Sequence, residues 1–299
     1  MKKPRSLIEK KDANSFFGIL GSIFLWIYGA SILGLLLWGF ISSFKSIVEF
    51  DYNVWGFPKK FTFKNYSSAI KELFVRVKTN DGGQRNVYLP EMFLWSLVTS
   101  VIPATINVLY TAICSYTLAK YKFKLGRIIY TVLLFVMIIP IVGSLSSNLD
   151  FLYKIGMYGK LPWLLVSSCA IWTGPWIILH AIYKNISWDY AEAAFMDGAS
   201  HFAVFWKIML PMSWPSVFVL ILLAFITRWN DYQTTLVWFP KYPTLAYGLY
   251  YFQTTNANAA ANPACQIAAA IMSAIPCFVL FMMFKERMMT SLTMGGLKG

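Results

Sequence analysis

Few residues in this sequence have the type and spacing to carry chemistry, and most of those argue against catalysis. The four cysteines, Cys114, Cys169, Cys265 and Cys277, form no C-x-x-C pair and have no histidine close by to complete a metal site. They read as small buried hydrophobes. His180 and His201 are the only histidines, too few and too far apart for a metal or catalytic centre. No G-x-x-x-x-G-K-[ST] loop occurs, so the chain does not hold a nucleotide in that manner. A metal site and a bound cofactor are therefore not expected in this chain. Arg228 and Asp231 flank Trp229 and Asn230 at the end of an apolar run. Charge inside a membrane faces a cavity or a partner, forms an internal i,i+3 ion pair, or snorkels to the interface; all three readings stand. Beyond them Trp238, Phe239, Tyr242, Tyr247, Tyr250, Tyr251 and Phe252 make a dense aromatic stretch. Such rings serve as stacking platforms, as an interfacial belt, or as packing.

A second constellation lies in residues 187–211. Ser187 is placed to cap a helix carrying Asp189 and Glu192 early, and Gly198 suits its C-terminal turn. Ser200 is placed to cap a second helix, and Pro211 lets the next element start in a new direction. Phe202, Phe205, Trp206 and Met209 fall at i, i+3, i+4, i+7, giving that second helix one apolar face. The expectation is a helix–glycine turn–helix at the inner membrane surface.

The elements that must position these residues follow from composition. Of 299 residues 58% are hydrophobic and 13% charged, where a soluble domain carries about 25% charge. The 18% aromatic content excludes disorder. The net charge of +13 sits mostly at the ends of apolar runs, with no recognition module behind it, so nucleic acid is not an expected partner. About 20 apolar residues span the hydrocarbon core, which predicts six spans: 16–42, 93–119, 128–143, 161–182, 211–226 and 264–284, the third and fifth being short by this count and expected to extend into their flanks. The basic segment 1–15 precedes an apolar run too long for a signal peptide, so the first helix is retained. The short loops place both termini inside: residues 120–127 carry four bases and no acid, while the last outer loop is poor, with Lys241 beyond the Arg228 that ends the fifth apolar run. The first outer loop, 43–92, contains Phe74-Val-Arg-Val-Lys78 and Arg85-Asn-Val-Tyr-Leu89 around Asn80-Asp-Gly-Gly83, which predicts a β-hairpin.

The segment Glu192-Ala193-Ala194, three residues, Gly198, nine residues, Ile208-x-Leu210-Pro211 resembles the EAA loop of permease subunits from binding-protein-dependent ABC importers. Tyr116-Thr-Leu-Ala-Lys-Tyr-Lys-Phe-Lys-Leu-Gly126, Met137-Ile-Ile-Pro140, Trp229-Asn-Asp231 and the ending Ser-Leu-Thr-Met-Gly-Gly-Leu-Lys-Gly299 are similar to the carbohydrate-uptake branch, the maltose-transporter G-type subunit. Two features depart from that pattern. No proline follows the third-helix signature within 141–152, and the first outer loop carries the extra hairpin.

The resemblance implies an all-α polytopic fold of the type I importer class, with 93–284 as a five-helix permease core and 187–211 as the coupling loop. It implies a non-enzymatic pore subunit that pairs with a second permease in the lipid bilayer and takes a sugar from an extracytoplasmic solute-binding protein. Two separate ATPase subunits would supply force, with ATP and Mg bound there, by docking on Glu192, Ala193, Ala194, Gly198, Ile208, Leu210 and Pro211. The tail, 285–299, would reach the ATPases through Met294, Gly295, Gly296 and Leu297, although its glycines leave it little structure alone. Arg228, Trp229, Asn230 and Asp231 are candidates for the solute path, and the aromatic stretch for stacking on sugar rings. The same machinery carrying a non-sugar solute is the nearest rival. A membrane-embedded glycosyl transferase is the other, but the inner loops hold no D-x-x-x-D or paired-histidine arrangement for it.

Overall fold

The computed structural model describes residues 16–79, 81–139, 143–170, 174–255 and 262–296, with the backbone alone for 16–17 and 286–296. The basic N-terminal stretch 1–15, Pro140 and Leu297 lie outside the described residues. Two compact units are formed, one from Met1–Glu72 with Thr255–Met272 and one from Leu73–Thr254 with Ser273–Gly299.

The first unit begins with α1 (Phe16–Ser42), uncharged over 27 residues. Its side chains are exposed on every side, Trp26 at 80%, as suits a helix whose solvent is lipid. After it come α2 (Ile47–Tyr52) and α3 (Lys64–Glu72). Ser46 caps α2 by accepting from the Glu49 amide at 3.2 Å. The chain between them is held by a buried lysine: Lys45 Nζ donates to the carbonyls of Asn53 and Val54 at 2.7 and 2.8 Å. Asn65 Nδ2 donates to the carbonyls of Ser43 and Lys45, both at 2.7 Å. Buried backbone without a ladder thus finds side-chain donors.

The second unit opens with the expected hairpin, β1 (Phe74–Lys78) and β2 (Gln84–Tyr88), paired antiparallel with Val75 opposite Val87. Gly82 supplies the turn at φ +78°. Val75, Val77 and Val87 are buried, while Arg76, Lys78 and Asn86 alternate outward. Leu89 begins α4 (Leu89–Lys120) rather than ending the strand, because Pro90 fits the first helical turn. Then follow α5 (Gly126–Ile138), α6 (Leu145–Lys154), α7 (Leu161–Ser168), α8 (Pro175–Asn185) and α9 (Asp189–Met196). The chain ends with α10 (His201–Trp229), α11 (Tyr232–Trp238), α12 (Leu245–Thr255) and α13 (Pro263–Gly296). The core of this unit is α4 against α8 and α10. On α4, Ser96, Ser100, Ala104, Thr111, Ala112 and Ser115 are buried, small enough to admit close helix approach.

Among the described residues four helices are long and apolar enough to cross a membrane: Gly18–Ser42, Leu89–Lys120, His201–Trp229 and Pro263–Lys285. The other two expected spans differ. The third is helical over 13 residues, Gly126–Ile138, short of a full crossing. The fourth is two short helices, α7 and α8, rather than one span over 161–182. Pro175 has no N–H to continue a helix from above and its ring clashes with the preceding turn. The carbonyls freed at the break are met from α4, where Asn107 Nδ2 donates to Ser168 and Ala170 at 2.8 and 3.0 Å. Ser115 Oγ donates to the Trp176 carbonyl at 3.0 Å.

The fifth span extends beyond 211–226 into both flanks, as its shortness implies, but no new element begins at Pro211. α10 runs unbroken from His201 to Trp229 through a π turn at Phe205–Met209. Pro211 cannot donate to the carbonyl four residues back. The turn before it widens instead, and the Leu210 amide donates to the Phe205 carbonyl, five residues back.

Candidate coupling site and solute-path cavities

The expected helix–turn–helix is α9 and the start of α10. Its turn is a Schellman arrangement: the Ala199 amide donates to the Ala194 carbonyl at 2.9 Å and the Gly198 amide to Phe195 at 3.0 Å. Gly198 holds φ +81°, a value that strains any residue with a Cβ. Ser200 caps α10, its Oγ accepting from the Ala203 amide at 3.2 Å. Ser187 sits one residue further out than a cap, since Trp188 occupies that place, and its Oγ accepts from the Asp189 amide at 3.3 Å.

The hairpin is seated on aromatic rings. Tyr116 of α4 packs edge-on against Tyr183 of α8 at 5.6 Å and, tilted, against Phe205 at 5.2 Å. Tyr121, just past α4, contacts Trp188 at 5.7 Å and its hydroxyl pairs with His201 Nδ1 at 2.9 Å. Phe195 closes the ring on His201 at 4.7 Å. Lys120 Nζ donates to the Ile186 carbonyl, fixing the approach to α9. Ala191, Val204, Phe205, Met209 and Leu210 complete this core. The sequence places Tyr121 only within a motif and His201 only among the histidines, and does not mark Tyr183, Trp188 or Phe195. Their partners lie up to 80 positions away, as for Tyr121 and His201, so no local pattern reveals them.

The expected single apolar face over Phe202, Phe205, Trp206 and Met209 is split. Phe205 and Met209 are buried, but Phe202 is 72% exposed and Trp206 37%. The π turn breaks the 3.6-residue period that put all four in one line. The coupling candidates come together on this hairpin. Glu192 and Ala193 are exposed, Ala194 and Ile208 half-buried, Leu210 buried and Pro211 exposed. Tyr190 and Met196, exposed at 53% and 88%, join Glu192 and Phe202 as outward side chains that the seat leaves free. The tail differs from its expected lack of structure: α13 continues to Gly296. Once a helix is nucleated each further residue adds one hydrogen bond, and no proline interrupts after Pro276.

Two cavities flank the break in the fourth span. One, of about 550 Å³, is walled by Asn148, Trp163, Ser167, Cys169, Thr234 and Trp238 among others, with Arg228. The other, of about 600 Å³, is walled by Asn107, Pro175, Thr227, Asp231 and Thr234, again with Arg228. Cys169 and Ala170 face the first and Gly174 and Pro175 the second, so the irregular backbone lines open space, as a membrane interior requires. Of the four solute-path candidates Arg228 and Asp231 line these cavities. Trp229 is 1% exposed, donates to the Ser273 carbonyl at 3.1 Å and packs on Phe93 and Phe225, a structural role. Asn230 Nδ2 donates to the Ile226 carbonyl at 2.9 Å. Asp231 caps α11, accepting from the Thr234 amide at 2.9 Å and from its hydroxyl. Most of the aromatic stretch is packing: Tyr242 contacts Trp95 at 4.5 Å, Tyr250 stacks on Tyr232 at 4.5 Å and Phe252 is buried.

Residues 109–286, more than half the chain, match the family described as binding-protein-dependent transport system inner membrane component. The chain is 26% identical to the probable ABC transporter permease protein YurM of Bacillus subtilis, over 99% of this chain and 95% of that one. It is also 26% identical to the trehalose/maltose transport system permease protein MalG of Thermococcus litoralis, over 92% of this chain and 96% of that one. Its fold is similar to a chain in the crystal structure of a bacterial ABC transporter involved in the import of the acidic polysaccharide alginate. The TM-score there is 0.73 at 20% identity, covering 96% and 99% of the two chains. With its EAA hairpin seated on the helical core within the matched residues, the chain belongs to the family of binding-protein-dependent transport system inner membrane components.

Proposed function

We propose that this chain is the pore-forming permease of an ATP-driven importer for a sugar or oligosaccharide. A second permease completes the pore, two ATPase subunits bind ATP and Mg, and a solute-binding protein delivers the sugar from outside. The observation that carries the solute class is similarity, over more than four fifths of each chain, to permeases named for saccharides, among them the trehalose/maltose protein above and the melibiose/raffinose/stachyose import permease MelC of Bacillus subtilis. The mechanism has support in the geometry. The hairpin presents Glu192, Ala193 and Met196 outward while its other side is fixed to α4 and α8 by rings, so a push on it moves helices rather than a loop. The last third of α13, past Lys285, carries Met294, Gly295 and Gly296, which with Leu297 extend the contact with the ATPases.

The test is reconstitution of the four-subunit complex with its binding protein in liposomes. ATP-dependent accumulation of radiolabelled oligosaccharide is the expected result, and deletion of residues 293–299 lowers the solute taken up per ATP hydrolysed. ATP-driven uptake confined to amino acids, peptides or ions would overturn the sugar reading while leaving the importer intact.

A further inference from the structure

Resting on the reading above, we infer that the saccharide carried past this chain bears an oxyanion, and that Arg228 is the residue that selects for it. Arg228 is half-buried in the last turn of α10 and lines both cavities. No carboxylate lies within ion-pair distance of its guanidinium among the described residues. The i,i+3 partner that sequence offers, Asp231, acts on Arg228 only through space, beyond ion-pair distance, and both its oxygens are engaged by Thr234. Among the described residues that wall the first cavity none is acidic, so Arg228 is the one formal charge there.

The rest of that wall is suited to a ring with hydroxyls. Trp163 and Trp238 are half-exposed indole faces, and Asn148, Ser167 and Thr234 add amide and hydroxyl groups. A volume of about 550 Å³ lies within the range of small-ligand sites. A guanidinium forms two parallel charge-assisted hydrogen bonds with a carboxylate or a sulfonate, which lysine cannot match in geometry. A neutral saccharide entering the same space would strip water from Arg228 and return no charge. The site therefore favours a saccharide with an anionic group and disfavours its neutral counterpart.

The complete complex in liposomes, with ATP inside and its binding protein outside, is offered a mixed pool of oligosaccharides. The pool combines partial hydrolysates of pectin, alginate, starch and arabinan with sulfonated glucosides, and the solutes accumulated are identified by mass spectrometry. The expected result is enrichment of anionic members, with uronates and sulfonates told apart by mass. Arg228→Gln should then import those members at least tenfold more slowly than wild type, while Arg228→Lys recovers part of the loss. A merely structural arginine would lower anionic and neutral uptake together. Accumulation of neutral oligosaccharides alone would overturn the inference and leave the saccharide reading standing. Accumulation of no saccharide would overturn both. Wild-type rates for anionic solutes in Arg228→Gln would also overturn it, reducing Arg228 to a snorkelling cation. Because wild-type selectivity needs no substitution, a variant that fails to assemble does not prevent a decision.

Discussion

At Gly198 the backbone, not the space, forbids a side chain: φ is +81°, yet nothing lies within 4 Å of where a Cβ would stand. An L-residue there costs about 1–2 kcal/mol, and asparagine costs least because it tolerates the left-handed region. Gly198→Asn is therefore expected to keep most solute-stimulated ATP hydrolysis. Gly198→Val and Gly198→Trp should insert into the membrane normally and lose most of that stimulation. Hydrolysis assays on the reconstituted complex, beside membrane-fraction blots, separate the two. Equal activity in all three variants would mean that the turn's geometry is irrelevant to coupling. Glu192, on the exposed side of α9, makes no ion pair within this chain among the described residues, so its charge is available to an external cation.

At the scale of elements, the π turn in α10 holds one residue more than an α-helix needs to carry Val204 and Leu210 onto the same core. Deleting Lys207, an exposed member of that turn, together with Pro211→Ala, which restores the missing amide, should leave a plain α-helix with both buried faces in place. The thermal midpoint of the detergent-solubilised protein is then expected to stay within a few degrees of wild type. Deleting Leu222, in the regular part of the same helix, would rotate everything beyond it by about 100° and should abolish folded protein. If both deletions behave alike, the π turn holds no spare residue. These cases also show what sequence reveals. The Gly198 turn, the Ser200 cap and the β-hairpin are local, and each announces itself within a few residues. The break in the fourth span was not legible, because 161–182 is equally apolar whether the helix continues or stops. What decides it is Pro175 together with Asn107, whose carbonyl partners lie 61 and 63 positions away. The coupling motif was legible as spacing, but its aromatic seat was not. At the solute path the motif names Trp229 and Asn230 alike, and it does not show that Trp229 is buried in packing while Asn230 stays exposed.

For the molecule as a whole, both chain ends are expected inside and the β-hairpin outside. Gly82 is exposed in a tight turn, so a tag inserted there should not disturb the strands. A reporter at Gly82 should be active only outside and one after Gly299 only inside. An outside signal from the C-terminal fusion would require a crossing more or fewer, and the broken fourth span is where the count is most exposed to error. One further consequence belongs to α10. Ser200, at the hairpin turn, and Arg228, at the cavities, are joined by a single rod of 29 residues, about 43 Å long, with no loop in between. Such a rod works as a lever: tilting it about its middle by roughly 5° carries each end about 2 Å, in opposite directions. A push at the hairpin is then felt at the cavity wall at once and with its sign reversed, so drawing one end inward swings the Arg228 end out.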